Sequence, residues 1–454
     1  MRFLGTVFYW YLWYSFGIWM GYFYRFNRKK NVTGIERIPT DRPVIFCSNH
    51  PNAFMDAIMV GSALPRRNWF LARSDVFRKK ALAKFLGFVG IIPIYRALEG
   101  TENLAKNDET FDKCTEMLED NKCILIFSEG LCIQERRLRK LKKGTARIAF
   151  GAEEKNNFNL NLTIVPVGIN YDSSPWKFRS RVYIECGEPF AMKDYEALYR
   201  QDKARAMNQF TRDLEKKMAE CLVIIENKAN DELVNGLEDI LLDEWTATQG
   251  LDPENQNDRH VVSKQIAETV NELTNTNAEL VLTLREKVDA YLLGLKDIGV
   301  RDWLLRPKGV ESIGGAGLLW DFLYFVLLFP VWLFGTITNY VPYKVPYALA
   351  QKIVKHMEWH SSISGTVGTF LWQIWYGLTS LAVALIFRNW YILGAYMIAM
   401  PICGYIAQEY WARMKKAKGK SALLSAFRSD KSQVEKLVTL RAEIVAEMNA
   451  LRKK

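Results

Sequence analysis

Val44-Ile45-Phe46-Cys47-Ser48, followed by Asn49-His50-Pro51-Asn52 and then by Ala53-Phe54-Met55-Asp56-Ala57-Ile58-Met59-Val60-Gly61-Ser62-Ala63-Leu64, is the stretch that decides the fold. The first five residues are a short apolar run, which reads as a buried strand. Pro51 keeps His50 out of helical geometry, so the imidazole stands in a strand-to-helix turn. Asn52 is a favourable N-cap residue, which starts a helix at Ala53 and places Asp56 in its first turn. A strand, a polar turn and an apolar helix in immediate succession form one unit of an α/β layer.

The same alternation extends outward over residues 31–190. Further strand candidates lie at 69–72, 91–95, 123–127, 162–168 and 181–186, with helical patterns at 53–64, 79–86 and 103–119. This predicts an α/β sandwich around a sheet. From 193 to about 305 the strand signals stop and helix formers with interspersed charges dominate, broken once by a polar stretch at 250–258. That region reads as a helical lobe, solvated on one side.

Beyond it the composition changes sharply. Residues 322–343, 361–387 and 389–408 contain 22, 27 and 20 residues without a charge. Each is long enough to cross a hydrocarbon core of ~30 Å at ~1.5 Å per residue. The polar break Arg388-Asn389-Trp390 predicts that the last two form a helical hairpin. Asp321 and Pro330 make the first stretch the weakest of the three. Arg413, Lys415, Lys416, Lys418 and Lys420 form a basic cluster after the third. If that cluster is cytosolic, the crossings downstream of residues 31–190 must be even in number, which leaves one of the three stretches in the interface. Residues 421–454 read as a terminal amphipathic helix.

Composition supports a membrane setting. The 14 Trp and 20 Tyr of the 454 residues cluster at the N-terminus and between about 318 and 411, as in interface belts. The net charge of +11 suits nucleic acid, an anionic membrane or anionic substrates; the apolar stretches favour the membrane over nucleic acid. Residues 3–24 are apolar and aromatic, and the charges Arg25, Arg28, Lys29 and Lys30 follow rather than precede them. With no small-residue cleavage site, this is not a signal-peptide pattern. It reads as an interfacial helix or a short span, the aromatic content favouring the interface, and the positive-inside rule puts residue 25 onward in the cytosol. The seven cysteines form no CxxC pair and read as free thiols in a reducing compartment; with four His and no ligand spacing, a structural zinc site is not expected.

Four blocks carry candidate chemistry. In the first, a His at a helix start beside a carboxylate can take a proton from a hydroxyl, with Asp56 orienting the His50 ring. The second, Gly90-Ile91-Ile92-Pro93-Ile94-Tyr95-Arg96, delivers a guanidinium at a strand end, where it could grip a phosphate. The third, Phe127-Ser128-Glu129-Gly130, leads into Arg136, Arg137, Arg139, Lys140, Lys142, Lys143 and Gly144; this basic run suits a substrate phosphate or a membrane surface equally. The fourth, Val165-Pro166-Val167-Gly168, reads as core wall.

In this order and on these strand ends, the blocks resemble those of the glycerophospholipid acyltransferase family, over about residues 30–215. The common family pattern has four residues between His and Asp, whereas five separate His50 from Asp56. That form, with Asn52 and Phe54 between, looks like the yeast-type glycerol-3-phosphate/dihydroxyacetone-phosphate acyltransferase branch. Ile92-Pro93-Ile94-Tyr95-Arg96, Leu141-Lys142-Lys143-Gly144 and a C-terminal extension with membrane segments are similar to that branch too. Ser128 stands where Pro is usual, and Leu131-Cys132 where Thr-Arg often follows; both bear on the acceptor more than on the reaction.

The resemblance implies an acyltransferase-type sandwich around a mixed sheet, followed by a helical lobe and C-terminal transmembrane helices. The expected divisions are a membrane-interface helix (1–30), an acyltransferase domain (31–215), a helical lobe (216–310), membrane-embedded helices (311–412) and a basic, amphipathic C-terminal helix (413–454). It implies His50 as general base with Asp56 as its partner, and Arg96, Ser128, Glu129, Gly130 and Lys143 around the acceptor's phosphate end. Glu129 has the wrong sign for phosphate and is expected to order the turn or pair with a cation. The hydroxyl would attack an acyl-CoA or acyl-carrier-protein thioester directly, without acyl-enzyme, metal or other cofactor. The expected setting is a phospholipid membrane, with the catalytic domain on the cytosolic face of a bacterial inner membrane or endoplasmic reticulum and no nucleic-acid partner. Two rivals stand beside this. A lipid hydrolase would want a G-x-S-x-G elbow, which the chain lacks. A non-catalytic membrane-lipid binding protein on the same fold is the other. Within the class, 1-acylglycerol-3-phosphate is the alternative acceptor.

Overall fold

The computed structural model describes residues 2–24, 26–95, 106–172, 180–306, 309, 311–354 and 356–452. The chain divides into two compact units: 1–224 with 255–257 and 354–365, and 225–254 with 258–353 and 366–454. The first unit thus runs past residue 215 and takes in a short segment, 354–365, from the stretch assigned on sequence to the membrane.

Among the described residues of the first unit, eight strands form one mixed sheet. These are β1 (Val32–Thr33), β2 (Val44–Ser48), β3 (Asn68–Arg73), β4 (Ile91–Ile94), β5 (Cys123–Phe127), β6 (Thr163–Tyr171), β7 (Val182–Cys186) and β8 (Phe190–Ala191). Their order is β1-β7-β6-β2-β5-β3-β4, with β8 also paired to β6. Strands β4, β3, β5, β2 and β6 run parallel, while β7 and β8 are antiparallel to β6. A parallel strand covered on both faces needs apolar residues at successive positions, and all five residues of β2 are buried. Phe46 faces a cluster with Met55, Met59 and Val60 of helix Ala53–Ala63 and Met20 and Phe23 of helix Arg2–Tyr24. Ile45 and Cys47 face the opposite cluster, with Cys114, Ala149, Phe150 and Phe210.

The strands expected at 44–48 and 123–127 have those bounds. The one expected at 162–168 runs on to Tyr171, because polar Asn170, which looks like a stop signal, is paired: it donates to the Cys221 carbonyl (3.0 Å) and accepts from Val223 N–H (2.9 Å). Gly168 is required in that strand, since a Cβ there would lie 2.1 Å from the Cys221 carbonyl oxygen. Helix Arg2–Tyr24 buries Tyr9, Phe16, Met20, Phe23 and Tyr24 and exposes Leu4, Val7, Tyr11, Tyr14 and Ile18 along the opposite side.

The second unit is helical, with Asp231–Thr248, Ala278–Asp297 and Lys431–Leu451 packed around buried Trp245 and Tyr291. Buried Asp302 ties it together, accepting from Tyr291 Oη (2.8 Å), Arg306 Nε (2.7 Å) and Arg441 Nε (2.8 Å). Removing one partner of a buried charge pair leaves the other poorly compensated. Arg441→Met is therefore expected to cost about 3 kcal/mol, read as a lower thermal unfolding midpoint in detergent; an unchanged midpoint would show the pair to be neutral.

Helices Gly315–Ile353, Met357–Phe387 and Trp390–Ser429 are each long and apolar enough to cross a membrane. The break before the third is real: Asn389 caps it, accepting from Tyr391 N–H (2.8 Å). The closest packing, however, joins the first and third helices, not the last two as a simple hairpin. A Cβ on Gly335 would lie 2.1 Å from the Cys403 carbonyl oxygen, and one on Gly404 would meet the Asn339 side chain. Small residues let backbones approach closely, and they chose the partner. Asp321 bonds Arg413 and Lys420 (both 2.8 Å), whereas Asn339 donates to the Met400 carbonyl (3.1 Å), so the two helices run antiparallel.

Candidate active site

In the parallel part of the sheet, Ser48 of β2 lies opposite Phe127 of β5 and Val167 of β6. The carboxyl ends of these strands therefore share one edge, the usual place for chemistry in α/β sheets. His50 follows β2, Ser128 follows β5, and Tyr171 ends β6.

Asp56, fully buried in the first turn of helix Ala53–Ala63, accepts three hydrogen bonds. Its Oδ2 accepts from His50 Nδ1 (3.0 Å) and Asn52 N–H (2.6 Å), and its Oδ1 from Tyr171 Oη (2.9 Å). Such donors replace the lost hydration of a buried carboxylate. Burial first, and then the charge of Asp56, push the Tyr171 phenol well above its usual range, so it remains a donor. The His50 ring stacks on Phe127, centroids 3.9 Å apart and planes at 14°, and its side chain is 19% exposed. With Nδ1 engaged, Nε2 is the nitrogen left for a substrate.

The turn between them is strained. Ala53 has φ +40°, a left-handed conformation that costs a non-glycine residue about 1–3 kcal/mol. Asn52 occupies the N-cap position, but its side chain does not cap the helix. Instead its Nδ2 donates to Tyr171 Oη (3.3 Å) and its Oδ1 accepts from Ser361 Oγ (2.5 Å). Two distant side chains accept from the helix start: Cys132 Sγ from Ala53 N–H (2.8 Å) and Ser362 Oγ from Met55 N–H (2.9 Å). At roughly 1 kcal/mol net each, such bonds are of the same order as the strain, so neighbours hold the turn.

Glu129 orders the loops around His50. One carboxylate oxygen accepts from His50 N–H (3.1 Å) and the other from Arg139 N–H (3.3 Å); burial pushes its carboxyl above the usual range. Gly130, at φ +69°, closes the turn through its N–H to the Phe127 carbonyl (3.1 Å). The buried Ser128 hydroxyl pairs with Thr145 Oγ1 (3.0 Å). Lys143 is exposed, just before helix Gly144–Lys155. Arg137 and Arg139 share Glu135 (3.3 and 2.6 Å). Arg96 lies outside the described residues; Tyr95 before it is pinned by Asn107, which accepts from its N–H (2.9 Å) and donates to its carbonyl (2.8 Å).

Sequence reasoning missed Tyr171, Cys132, Ser361 and Ser362. Only Tyr171 left a signal, at the end of a strand that had to be read three residues further. Burial pushes the Cys132 and Cys47 thiols up to about 12, which makes both poor thiolate nucleophiles. Among the described residues no three His, Cys, Asp or Glu side chains gather as a metal site.

The comparisons with known proteins fall on this part of the chain. Residues 29–170 match the model of the Acyltransferase family. Glycerol-3-phosphate O-acyltransferase 1 of Saccharomyces cerevisiae is 40% identical over 98 residues, 21% of this chain and 13% of that protein. Glycerol-3-phosphate O-acyltransferase 2 of the same yeast is 30% identical over 126 residues, 28% of this chain and 16% of that protein. The matched stretches thus span under a fifth of either relative. The crystal structure of the 1-acyl-sn-glycerophosphate (LPA) acyltransferase from Thermotoga maritima aligns with a TM-score of 0.29 and 16% identity, covering 41% of this chain and 70% of that one. Over residues 29–170, which hold the strand-end His50–Asp56 block, the chain thus matches the Acyltransferase family model, and over part of its length it is similar to the yeast glycerol-3-phosphate O-acyltransferases.

Proposed function

We propose that this chain transfers a fatty acyl group from an acyl thioester to the hydroxyl of glycerol-3-phosphate or dihydroxyacetone phosphate. The observation that carries the reading is the His50–Asp56 contact of 3.0 Å, with Asp56 buried and held by three donors. Asp56 keeps the imidazole proton on Nδ1, so Nε2 can accept the acceptor's hydroxyl proton. The oxygen then attacks the thioester carbonyl, the C–S bond breaks, and the imidazolium returns its proton to the departing thiolate. Arg96 and the exposed Lys143 are proposed to receive the phosphate end, with Glu129 and Gly130 ordering the loop that leads to Lys143.

Several features support work at a membrane, with the chain anchored there by its apolar helices. Helix Arg2–Tyr24 is buried along one side and apolar along the other, as suits a helix lying in an interface. Helix Lys80–Phe88 exposes Leu82, Phe85 and Phe88 beside Arg78, Lys79, Lys80 and Lys84, and its Phe85 and Phe88 rings meet Phe8. An exposed apolar strip with basic neighbours matches an anionic leaflet. The antiparallel pairing of the first and third apolar helices supports a topology in which Arg413–Lys420 returns to the side of Asp321, and we infer that this side is cytosolic.

The test is transfer from labelled long-chain acyl-CoA by the detergent-purified protein, with glycerol-3-phosphate, dihydroxyacetone phosphate and 1-acylglycerol-3-phosphate as acceptors. Preference for either of the first two is the expected result. Preference for the third would replace the acceptor while keeping the chemistry. Folded protein inactive with acyl-CoA and with acyl-carrier-protein thioesters would favour the non-catalytic lipid-binding reading.

A further inference from the structure

We infer that Ser361 and Ser362, at the start of helix His360–Phe387, are positioning residues for the His50–Asp56 pair, so that the acyltransferase domain is catalytically incomplete without this downstream segment. The inference rests on the proposed acyl transfer and extends it to residues that lie 191 and 192 positions beyond the end of the family match at residue 170.

Four observations converge. First, the turn linking the catalytic pair is strained at Ala53 (φ +40°) and has no cap of its own, the Asn52 side chain making no bond to the helix start. Second, the missing cap comes from the segment 354–365, which folds as part of the first unit. Ser362 Oγ accepts from Met55 N–H (2.9 Å), and Ser361 Oγ donates to Asn52 Oδ1 (2.5 Å). Third, both serines are buried, at 1% and 2% exposure, so water cannot take over these bonds. Fourth, the approach is close enough to demand a glycine: a Cβ on Gly365 would lie 2.3 Å from Met55 Cε and 3.1 Å from the Trp19 ring.

The consequence for catalysis runs through Asn52. Its backbone N–H donates to the same Asp56 oxygen that receives His50 Nδ1, and its side-chain amide donates to Tyr171 Oη, which holds the other oxygen. Ser361 fixes the orientation of that amide, since its hydroxyl donates to Oδ1 and leaves Nδ2 facing Tyr171. Ser362 fixes the helix that carries Asp56. The two hydroxyls therefore set the plane of the Asp56 carboxylate, and with it the aim of His50 Nε2. Displacement of such a group by about 1 Å can cost roughly a hundredfold in rate without touching substrate contacts.

The experiment uses full-length protein in detergent, comparing wild type, Ser361→Ala, Ser362→Thr, Ser362→Val and His50→Ala by transfer kinetics and thermal unfolding. Thr keeps the Ser362 acceptor and Val matches Thr in shape without it. The expected result is that Ser361→Ala and Ser362→Val lose about ten- to hundredfold in kcat with KM for donor and acceptor within about twofold, while Ser362→Thr stays within about threefold of wild type. Equal activity in the Thr and Val variants, or losses confined to KM, would overturn the inference, because packing or anchoring would then explain the contact. Should Ser362→Val fail to fold, Ser361→Ala decides alone: wild-type kcat in that variant overturns the inference. Absence of transfer in wild type itself would instead strike at the proposed function.

Discussion

His50→Ala is expected to lower kcat for acyl transfer by about 10²–10⁴, with KM for the acyl donor and for the acceptor nearly unchanged. The ring is stacked on Phe127 and bonded to Asp56, so its removal takes away the proposed base without removing a group proposed to bind either substrate. Proton removal from the hydroxyl belongs to the transition state, and loss of such a group appears in kcat rather than in ground-state binding. The half-buried Cys132 thiol, pushed up to about 12, offers no ready substitute as base or nucleophile. The measurement is steady-state kinetics of purified His50→Ala with the preferred acceptor. A fall of less than about fivefold would remove His50 from the role of base.

Asp56→Asn is expected to be comparably severe, about 10³–10⁴ in kcat. The buried carboxylate accepts from three donors, and an amide has only one accepting oxygen. Whichever way the amide turns, its NH₂ meets at least one donor: His50 Nδ1 with Asn52 N–H on one side, or Tyr171 Oη on the other. If the NH₂ faces His50, the ring adopts the opposite tautomer, with the proton on Nε2, where it cannot accept one from the substrate. An orphaned buried donor costs about 1–3 kcal/mol, so a lower unfolding midpoint should accompany the lost activity. The discriminating comparison is with Tyr171→Phe, which removes one donor and leaves the carboxylate. It should retain far more activity than Asp56→Asn; if the two were equally impaired, orientation of the whole network, rather than the charge of Asp56, would control the rate.

Much of this site could be read along the chain because its principal members are local. Strand β2, the Pro51 turn and the helix carrying Asp56 are dictated by an apolar run, a proline and helical spacing, all within about twenty residues. Their meeting follows from covalent proximity: Asp56 lies six positions after His50, and the turn folds them together. The strand ends that deliver Phe127 and Glu129 were legible for the same reason, since a parallel sheet brings carboxyl ends to one edge.

What the tertiary structure alone decided is how that local block is held and which helices pair. Tyr171 reaches Asp56 across 115 positions and Ser361 reaches Asn52 across 309. The sequence assigned the cap to Asn52, a sound local preference that lost to a tertiary alternative: two serines and a cysteine from elsewhere satisfy the turn and free the Asn52 amide for the network around Asp56. Likewise the break at Arg388-Asn389 marks where a helix starts, but Gly335 and Gly404 select its closest neighbour. Periodicity, turn chemistry and apolar length act over a few residues and are written in order along the chain. Hydrogen-bond partners for buried polar groups, and close backbone contacts between helices, depend on which surfaces meet in space, and a single sequence carries no ordered record of that.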